Sequence, residues 1–429
     1  MNKTLKKSEW TPRSKAFIIA DEDVDGVCSA AIVGKRYNNS ACEFEFVNAR
    51  SLGDALISQI KKIKEHDDPN NLDLFIVDVG INKANITSIE KSALSISQLG
   101  VRILYFDSHS NKYKGKNLLT HLVRANVNVF NGKIGVAAAS IVQDFLGSPE
   151  TSRLRLLGAL SDRELQLTHR YKTEKTGLRG LQAAVAWGAY KNPDFLEKIT
   201  RRLIRHPDLD LESDKEVIEY SIKANNHRDN LLRHVHKNGK ILQLSETPRI
   251  LVVTVLDRDD FGKARGTIAG RLAGEWGSAI ILITQSVNNN NAYAITIRNS
   301  YIHKLDLEIM GQLANTENSG GSKGAYRLTI SKDELISFLS KIQLWSRNVV
   351  PPWFVKSSST KSKHPNKSQR SKSKNLRFQK KRKPETKPAK ADTIPINKIP
   401  NLNTEVIEMQ GDDSIEEDIL DLSDLDLDN

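Results

Sequence analysis

Cysteine is almost missing from this sequence: Cys28 and Cys42 are the only two in 429 residues. That scarcity excludes a disulfide framework and any zinc module built on cysteines, and it suits a reducing cytosol. Long apolar runs are missing as well. No stretch approaches the length that spans a bilayer, and the first ten residues, ending at Trp10, lack the apolar segment of a signal peptide. Neither a membrane partner nor a secretory leader is therefore expected. No repeat at a fixed period is visible. What remains is a chain with 38% hydrophobic residues, long enough for two or three domains with a sizeable core.

Charge is abundant and unevenly spread. Sixty-four Lys and Arg stand against 52 Asp and Glu, a formal +12. Residues 356–390 hold fourteen Lys or Arg and a single Glu, whereas residues 405–429 hold eleven Asp or Glu and no basic residue. With both blocks set aside, about +10 remains, nearly all of it on residues 1–355. A basic body without a membrane segment calls for a polyanionic partner, nucleic acid first, and so for a cytoplasmic, nucleoid-associated protein.

Residues 14 to about 190 alternate between strand-length apolar runs, at Ala16–Ala20, Leu74–Val77 and Val101–Phe106, and stretches long enough for crossover helices. That alternation predicts an α/β fold with a parallel sheet covered on both faces. Residues 195–245 are polar, with leucines and isoleucines at helical spacing, and read as a helical connector. A second, smaller α/β unit follows: strand Ile250–Leu256, a Gly-rich helix around Gly266–Ala273, and strands Ala279–Thr284 and Tyr293–Arg298. The expected divisions are 1–192, 193–246, 247–350 and a disordered 351–429, whose Ser/Lys/Pro-rich linker cannot bury enough apolar surface to fold. The acidic and aliphatic run from Ile415 to Leu427 could form a short amphipathic helix on a partner. The basic linker would contact phosphates without sequence preference, or close on the chain's own acidic tail.

Each early strand ends in aspartate. Phe17–Ala20 runs into Asp21, Asp23, Asp25 and Gly26; Leu74–Val77 into Asp78-Val79-Gly80; Ile103–Phe106 into Asp107-Ser108-His109. In an open parallel sheet these carboxyl-terminal loops converge on one crevice. A fourth apolar segment, Arg153 to Ser161, ends in Asp162. One aspartate after a strand is commonly a helix N-cap, but four in succession are harder to explain by capping. The run from Asp21 to Gly26 imitates a calcium loop, yet the twelfth position is Ile32 and a strand precedes it. Carboxylates gathered with an imidazole would repel one another unless hard divalent cations, Mn²⁺ or Mg²⁺, sat among them. Two such ions suit an in-line phosphoryl displacement. His206, His227, His234 and His236 lie in a charged helical region and read as solvent-facing.

In order and content these motifs resemble those of the DHH phosphoesterase family, specifically its RecJ-like branch of single-strand-specific exonucleases, over about residues 15–335. Asp21 to Ala30 resembles the first motif, Asp78 to Ile81 the second, Asp107-Ser108-His109 the Asp-His-His third, and Leu157 to Asp162 the fourth. The resemblance implies that Asp21, Asp23, Asp25, Asp78 and Asp162 ligate two Mn²⁺ (or Mg²⁺) ions, with Asp78 bridging. It implies that His109 touches the scissile phosphate and that Asp107 orients the motif. Ser108 stands where a ligating histidine is expected, so one ion should bind more weakly. In the second domain Arg298 and Ser300 resemble an Arg-Ser element that contacts the nucleic-acid backbone. Gly320, Gly321, Ser322 and Lys323 stand where relatives have Gly-Gly-His, again with Ser in place of His.

Two activities follow from the resemblance. One is metal-dependent hydrolysis of phosphodiester bonds in single-stranded DNA or RNA, in replication or repair. The other is a replisome scaffold that has lost its chemistry while keeping the DNA groove and associating with GINS and MCM proteins. A phosphodiesterase of small nucleotides is a third, which the basic body suits less well.

Overall fold

The computed structural model describes residues 5–37, 39–81, 83–109, 112–113, 116–133, 135–162, 174–286, 289, 291–300, 305–314, 316, 319–322 and 324–348. The basic linker, the acidic tail and Lys323 lie outside them. The first unit is built from β1 (Lys15–Asp21), α1 (Val24–Gly34), β2 (Cys42–Val47), α2 (Leu52–Lys64), β3 (Leu72–Val77), α3 (Ile86–Gln98), β4 (Arg102–Asp107), α4 (Leu119–Arg124) and β5 (Asn128–Asn131). These strands form one parallel sheet in the order β2-β1-β3-β4-β5. All six residues of β3 are buried, as are Ala16–Ala20 of β1, the mark of strands covered on both faces. One face packs Ala30, Ala31 and Val33 of α1 against helices that follow the sheet; the other packs Leu52 and Leu56 of α2 with Ile89 and Ile96 of α3. The chain leaves β1 toward β2 on one side and reaches β3 on the other. The crevice of such a sheet therefore lies beyond the carboxyl ends of β1 and β3.

Among the described residues the chain continues through α5 (Ala138–Leu146), α6 (Ser152–Ser161), α7 (Lys175–Lys191), α8 (Asp194–Arg205) and α9 (Lys215–Asn238). Leu157 of α6, Leu181 of α7 and Leu203 of α8 join the α1 face of the core. The helical reading of 195–245 holds only to Asn238. Lys240–Glu246 is instead β6, an edge strand paired antiparallel with β7 (Arg249–Val255). Its apolar spacing changes from helical to period two, so that Leu242 and Leu244 turn inward while Ile241 and Gln243 face solvent.

The second sheet adds α10 (Arg265–Trp276), β8 (Ala279–Gln285), β9 (Ala292–Arg298), α11 (Leu307–Gln312), β10 (Ser319–Ser322), β11 (Ala325–Ser331) and α12 (Lys332–Arg347). Its strand order is β10-β11-β9-β8-β7-β6, parallel only between β7 and β8. Ile268 and Leu272 of α10 and Leu231 and Val235 of α9 cover one of its faces. Among the described residues no helix is long and apolar enough to cross a membrane.

Candidate functional site

Asp21 closes β1, and the chain turns at once into α1, whose N-cap is Asp23: its carboxylate accepts from Gly26 N at 3.0 Å. A side chain at Gly26 would put Cβ 2.3 Å from the Asp21 carbonyl oxygen, so only glycine lets the helix start this close to the strand. Asp25, one residue before it, is fully buried and accepts from the N–H groups of Ala138 at 2.7 Å and Ala139 at 2.9 Å, at the start of α5. Gly158 makes room beside it. A Cβ there would lie 2.5 Å from Asp25 Oδ1 and 2.5 Å from Ala139 Cβ. Asp162 is the C-cap of α6.

Asp78 follows β3 in a left-handed conformation, φ 62°, which costs a non-glycine residue about 1–3 kcal/mol. It is 1% exposed, and among the described residues neither carboxylate oxygen has a hydrogen-bond partner. His109 Nδ1 is 4.0 Å from its Oδ1, beyond hydrogen-bonding distance. On the same strand Asp73 is equally buried but accepts from Arg102 at 2.7 and 2.8 Å, from the Arg13 backbone and from the Tyr37 hydroxyl. A buried carboxylate normally has such partners; Asp78 has none of them.

The sequence-predicted residues meet here. Asp21, Asp23 and Asp78 offer ligand atoms within 4.8 Å of one another; so do Asp25, Asp78 and Asp162, and so do Asp78, Asp107 and His109. Asp78 belongs to all three groups. Burial first, and the Asp23 charge second, push the Asp21 carboxyl up to about 7. Burial and the neighbouring aspartates raise Asp25 and Asp78 well above the carboxylate range. Such a cluster fits a hard divalent cation, whose charge reverses that repulsion and whose oxygen preference the donors match. Asp107 Oδ1 lies 2.6 Å from His109 Nδ1, and its Oδ2 accepts from the Tyr105 hydroxyl at 2.9 Å. Burial opposes charge on His109, but the Asp107 hydrogen bond and charge, with Asp21 and Asp162, outweigh it and raise the imidazole to about 10.

Opposite in sign is a set of arginines from distant parts of the chain. Arg298 and Arg327 each bring an Nη2 to 2.8 Å from the point a Cβ on Gly266 would occupy, over the first turn of α10. Arg50 donates to Thr329 Oγ1 at 2.7 Å. Burial, followed by the charges of Arg327 and Arg50, lowers Arg265 to about 10. Among the described residues no carboxylate pairs with Arg50, Arg265 or Arg327. Gly320 lies opposite Arg327 and Gly321 opposite Tyr326 across the β10–β11 ladder, where Gly321, at φ 155°, leaves no room for a side chain. Ser300 is buried just beyond β9. Arg298, singled out in the sequence, is joined in space by Arg50, Arg265 and Arg327, which carry no motif and are far apart in the chain.

A cavity of about 1050 Å³ runs from the carboxylates to Arg327. Asp21, Asp23 and Asp162 line it on one side, Lys263 and Arg327 on another, and α7 and α9 form a wall. Lys263 ties the two sides: its Nζ lies 2.7 Å from Glu22 Oε2 and donates to the Glu22 carbonyl at 3.2 Å. His227 lies half-buried against this cavity, not facing solvent as its sequence context suggests, because α9 turns that face toward α7.

No family model matches the sequence, and no curated protein matches it either. Solved structures do. RecJ from Thermus thermophilus, determined in complex with Mn²⁺, aligns over 79% of this chain at 15% identity with a TM-score of 0.51. This chain spans 53% of that protein, about half its length. The DHH domain of a member of a family of ribosomal proteins aligns over 77% of this chain and 86% of its own, at 14% identity with a TM-score of 0.53. The chain has the fold of DHH-type, RecJ-like proteins.

Proposed function

We propose that the protein is a divalent-metal-dependent phosphodiesterase acting on single-stranded DNA or RNA, a RecJ-like exonuclease of replication or repair with a cytoplasmic, nucleoid-associated location. The observation that carries this reading is Asp78, strained, buried and without a hydrogen-bond partner on either oxygen among the described residues, at the junction of three ligand groups. Asp21, Asp23, Asp25, Asp78 and Asp162 would hold two Mn²⁺ or Mg²⁺ ions. When bound, the pair would activate a water and neutralise charge on the phosphoryl oxygens. The chain's own groups supply the rest. His109 would face a non-bridging phosphate oxygen, with Asp107 fixing its ring. Arg265, Arg298 and Arg327 at the first turn of α10, with Arg50 near them, would take flanking phosphates, where guanidinium forks and helix N–H groups favour anions. Gly320, Gly321, Ser322 and Lys323 would admit the backbone close to β10 and β11.

The scaffold reading, in which the chain binds DNA and GINS- or MCM-type partners without hydrolysis, is favoured by Ser108 and Ser322 standing in place of histidines. Strain and an unsatisfied carboxylate weigh against it, because a site without chemistry gains nothing from carrying them. The test is digestion of end-labelled single-stranded DNA with Mn²⁺, comparing the intact protein with Asp78→Ala. Digestion that the substitution abolishes supports the enzyme. Retained binding without digestion by either protein supports the scaffold.

A further inference from the structure

The phosphodiesterase reading leaves the aromatic wall of the cavity without a role. Trp187 and Tyr190, three residues apart on α7, and His227 on α9 line the same cavity as Asp21, Asp23 and Asp162. Trp187 meets the His227 ring edge-on at 5.4 Å between centroids, and Tyr190 stacks on that ring at 5.6 Å and 27°. His227 is fixed in turn, its Nε2 donating to the Asp260 carbonyl at 3.0 Å. Aromatic side chains that build the core here, such as Phe17, Phe75 and Phe106, are at most 2% exposed. Trp187, Tyr190 and His227 are only half-buried.

Arg179 and Arg228 line the cavity with these rings, as does Lys263, paired there with Glu22. Arg228 Nε is buried without a hydrogen-bond partner among the described residues. Cations alone would suit any polyanion, and rings alone would suit any apolar ligand. Both together, next to a carboxylate cluster suited to metal, match a ligand with planar bases as well as phosphates. At about 1050 Å³ the cavity exceeds the roughly 300–1,000 Å³ of an ordinary small-ligand pocket, leaving room for more than one nucleotide.

We propose that Trp187, braced by Tyr190 and His227, is the platform on which an unpaired base stacks while its phosphate lies toward the carboxylates. This rests on the nucleic-acid reading above and adds a source of strand selectivity. Every base has a π-face to offer, so stacking is sequence-tolerant. A paired base must first leave its own stack, at a cost of about a few kcal/mol, so a duplex is disfavoured.

Fluorescence anisotropy on the full chain, in Ca²⁺ buffer, tests this with two labelled strands of equal length and charge: an eight-nucleotide oligothymidylate and its abasic counterpart. The wild type is expected to prefer thymidylate by about tenfold, the effect of one stacked base. Trp187→Ala is expected to erase the preference while abasic affinity changes less than about twofold, and Trp187→Phe to keep most of it. Trp187→Leu fills the apolar volume without a ring and is expected to behave like the Ala variant, which covers the case where Trp187→Ala does not fold. Equal binding of both strands by the wild type, or equal weakening of both by Trp187→Leu, overturns the platform and leaves the nucleic-acid reading standing. Binding of neither strand by the wild type overturns both.

Discussion

Two aspartates, one within β3 and one just past its end, show how context separates structure from chemistry. Asp73 and Asp78 are equally hidden, yet the first is surrounded by Arg102, Arg13 and Tyr37 and the second by other carboxylates. Leaving a buried polar group unsatisfied costs about 1–3 kcal/mol. Asp78→Asn removes a charge that the neighbouring carboxylates repel, and is expected to raise the metal-free melting temperature at pH 8 and, on the phosphodiesterase reading, to abolish hydrolysis; unchanged or lower metal-free stability would contradict this. Ser108 is the other telling residue. Ser108→His is expected to raise affinity for the weaker ion about tenfold, read by Mn²⁺ titration, if the pocket otherwise retains its shape. The aspartates were legible in the sequence because each follows an apolar run that could only be a strand or a buried helix. Whether Asp78 has partners was not legible, since hydrogen bonds form between residues far apart in the chain.

Glycines decide how closely the site's elements approach. α1, α5 and α6 meet where Asp25, Ala139 and Gly158 touch, and the first of these carries a predicted ligand. Gly158→Ala is expected to cost about 1–3 kcal/mol and to lower metal affinity at the same time, because the new methyl collides with Asp25 Oδ1. Thermal melting and Mn²⁺ titration on one sample check both; lost stability with unchanged affinity would mean that α6 does not set the Asp25 position. At this scale the parallel sheet was foreseen from β1, β3 and β4, whose apolar runs are long enough to mark strands buried on both faces. Strand β2 was not, because Glu43 and Glu45 interrupt its apolar run. Strand β6 reads as helix in the sequence because its leucines continue the density of the helix before it.

Across the whole molecule, a carboxylate cluster and an arginine cluster of opposite sign both reach one cavity, through Asp21, Asp23 and Asp162 and through Arg327. Neither could be inferred from the net charge of +12, which describes the chain's balance and not its separation. The arrangement predicts an unusual pH dependence. In the folded, metal-free protein Asp21 holds its proton to about pH 7, and Asp25 and Asp78 are likewise raised well above the carboxylate range. The unfolded chain releases the same protons near the usual carboxylate value, about 4. Between those limits the native state binds more protons, so metal-free stability falls as pH rises from about 4 to 7 and beyond. Mn²⁺ should restore it, and the gain in melting temperature on adding Mn²⁺ should be larger at pH 8 than at pH 5. A gain that is independent of pH would mean that these carboxyls are ionised without the ion.

The central claim, that aspartates scattered from Asp21 to Asp162 gather around a pair of cations, is tested most directly by Mn²⁺ binding to the full chain, measured by calorimetry with proton release recorded in buffers of different ionisation enthalpy. The account predicts two sites of unequal affinity, net proton release at pH 6.5, and loss of both sites in Asp78→Asn. Mn²⁺ binding that is absent in the wild type, or undiminished in Asp78→Asn, would contradict it.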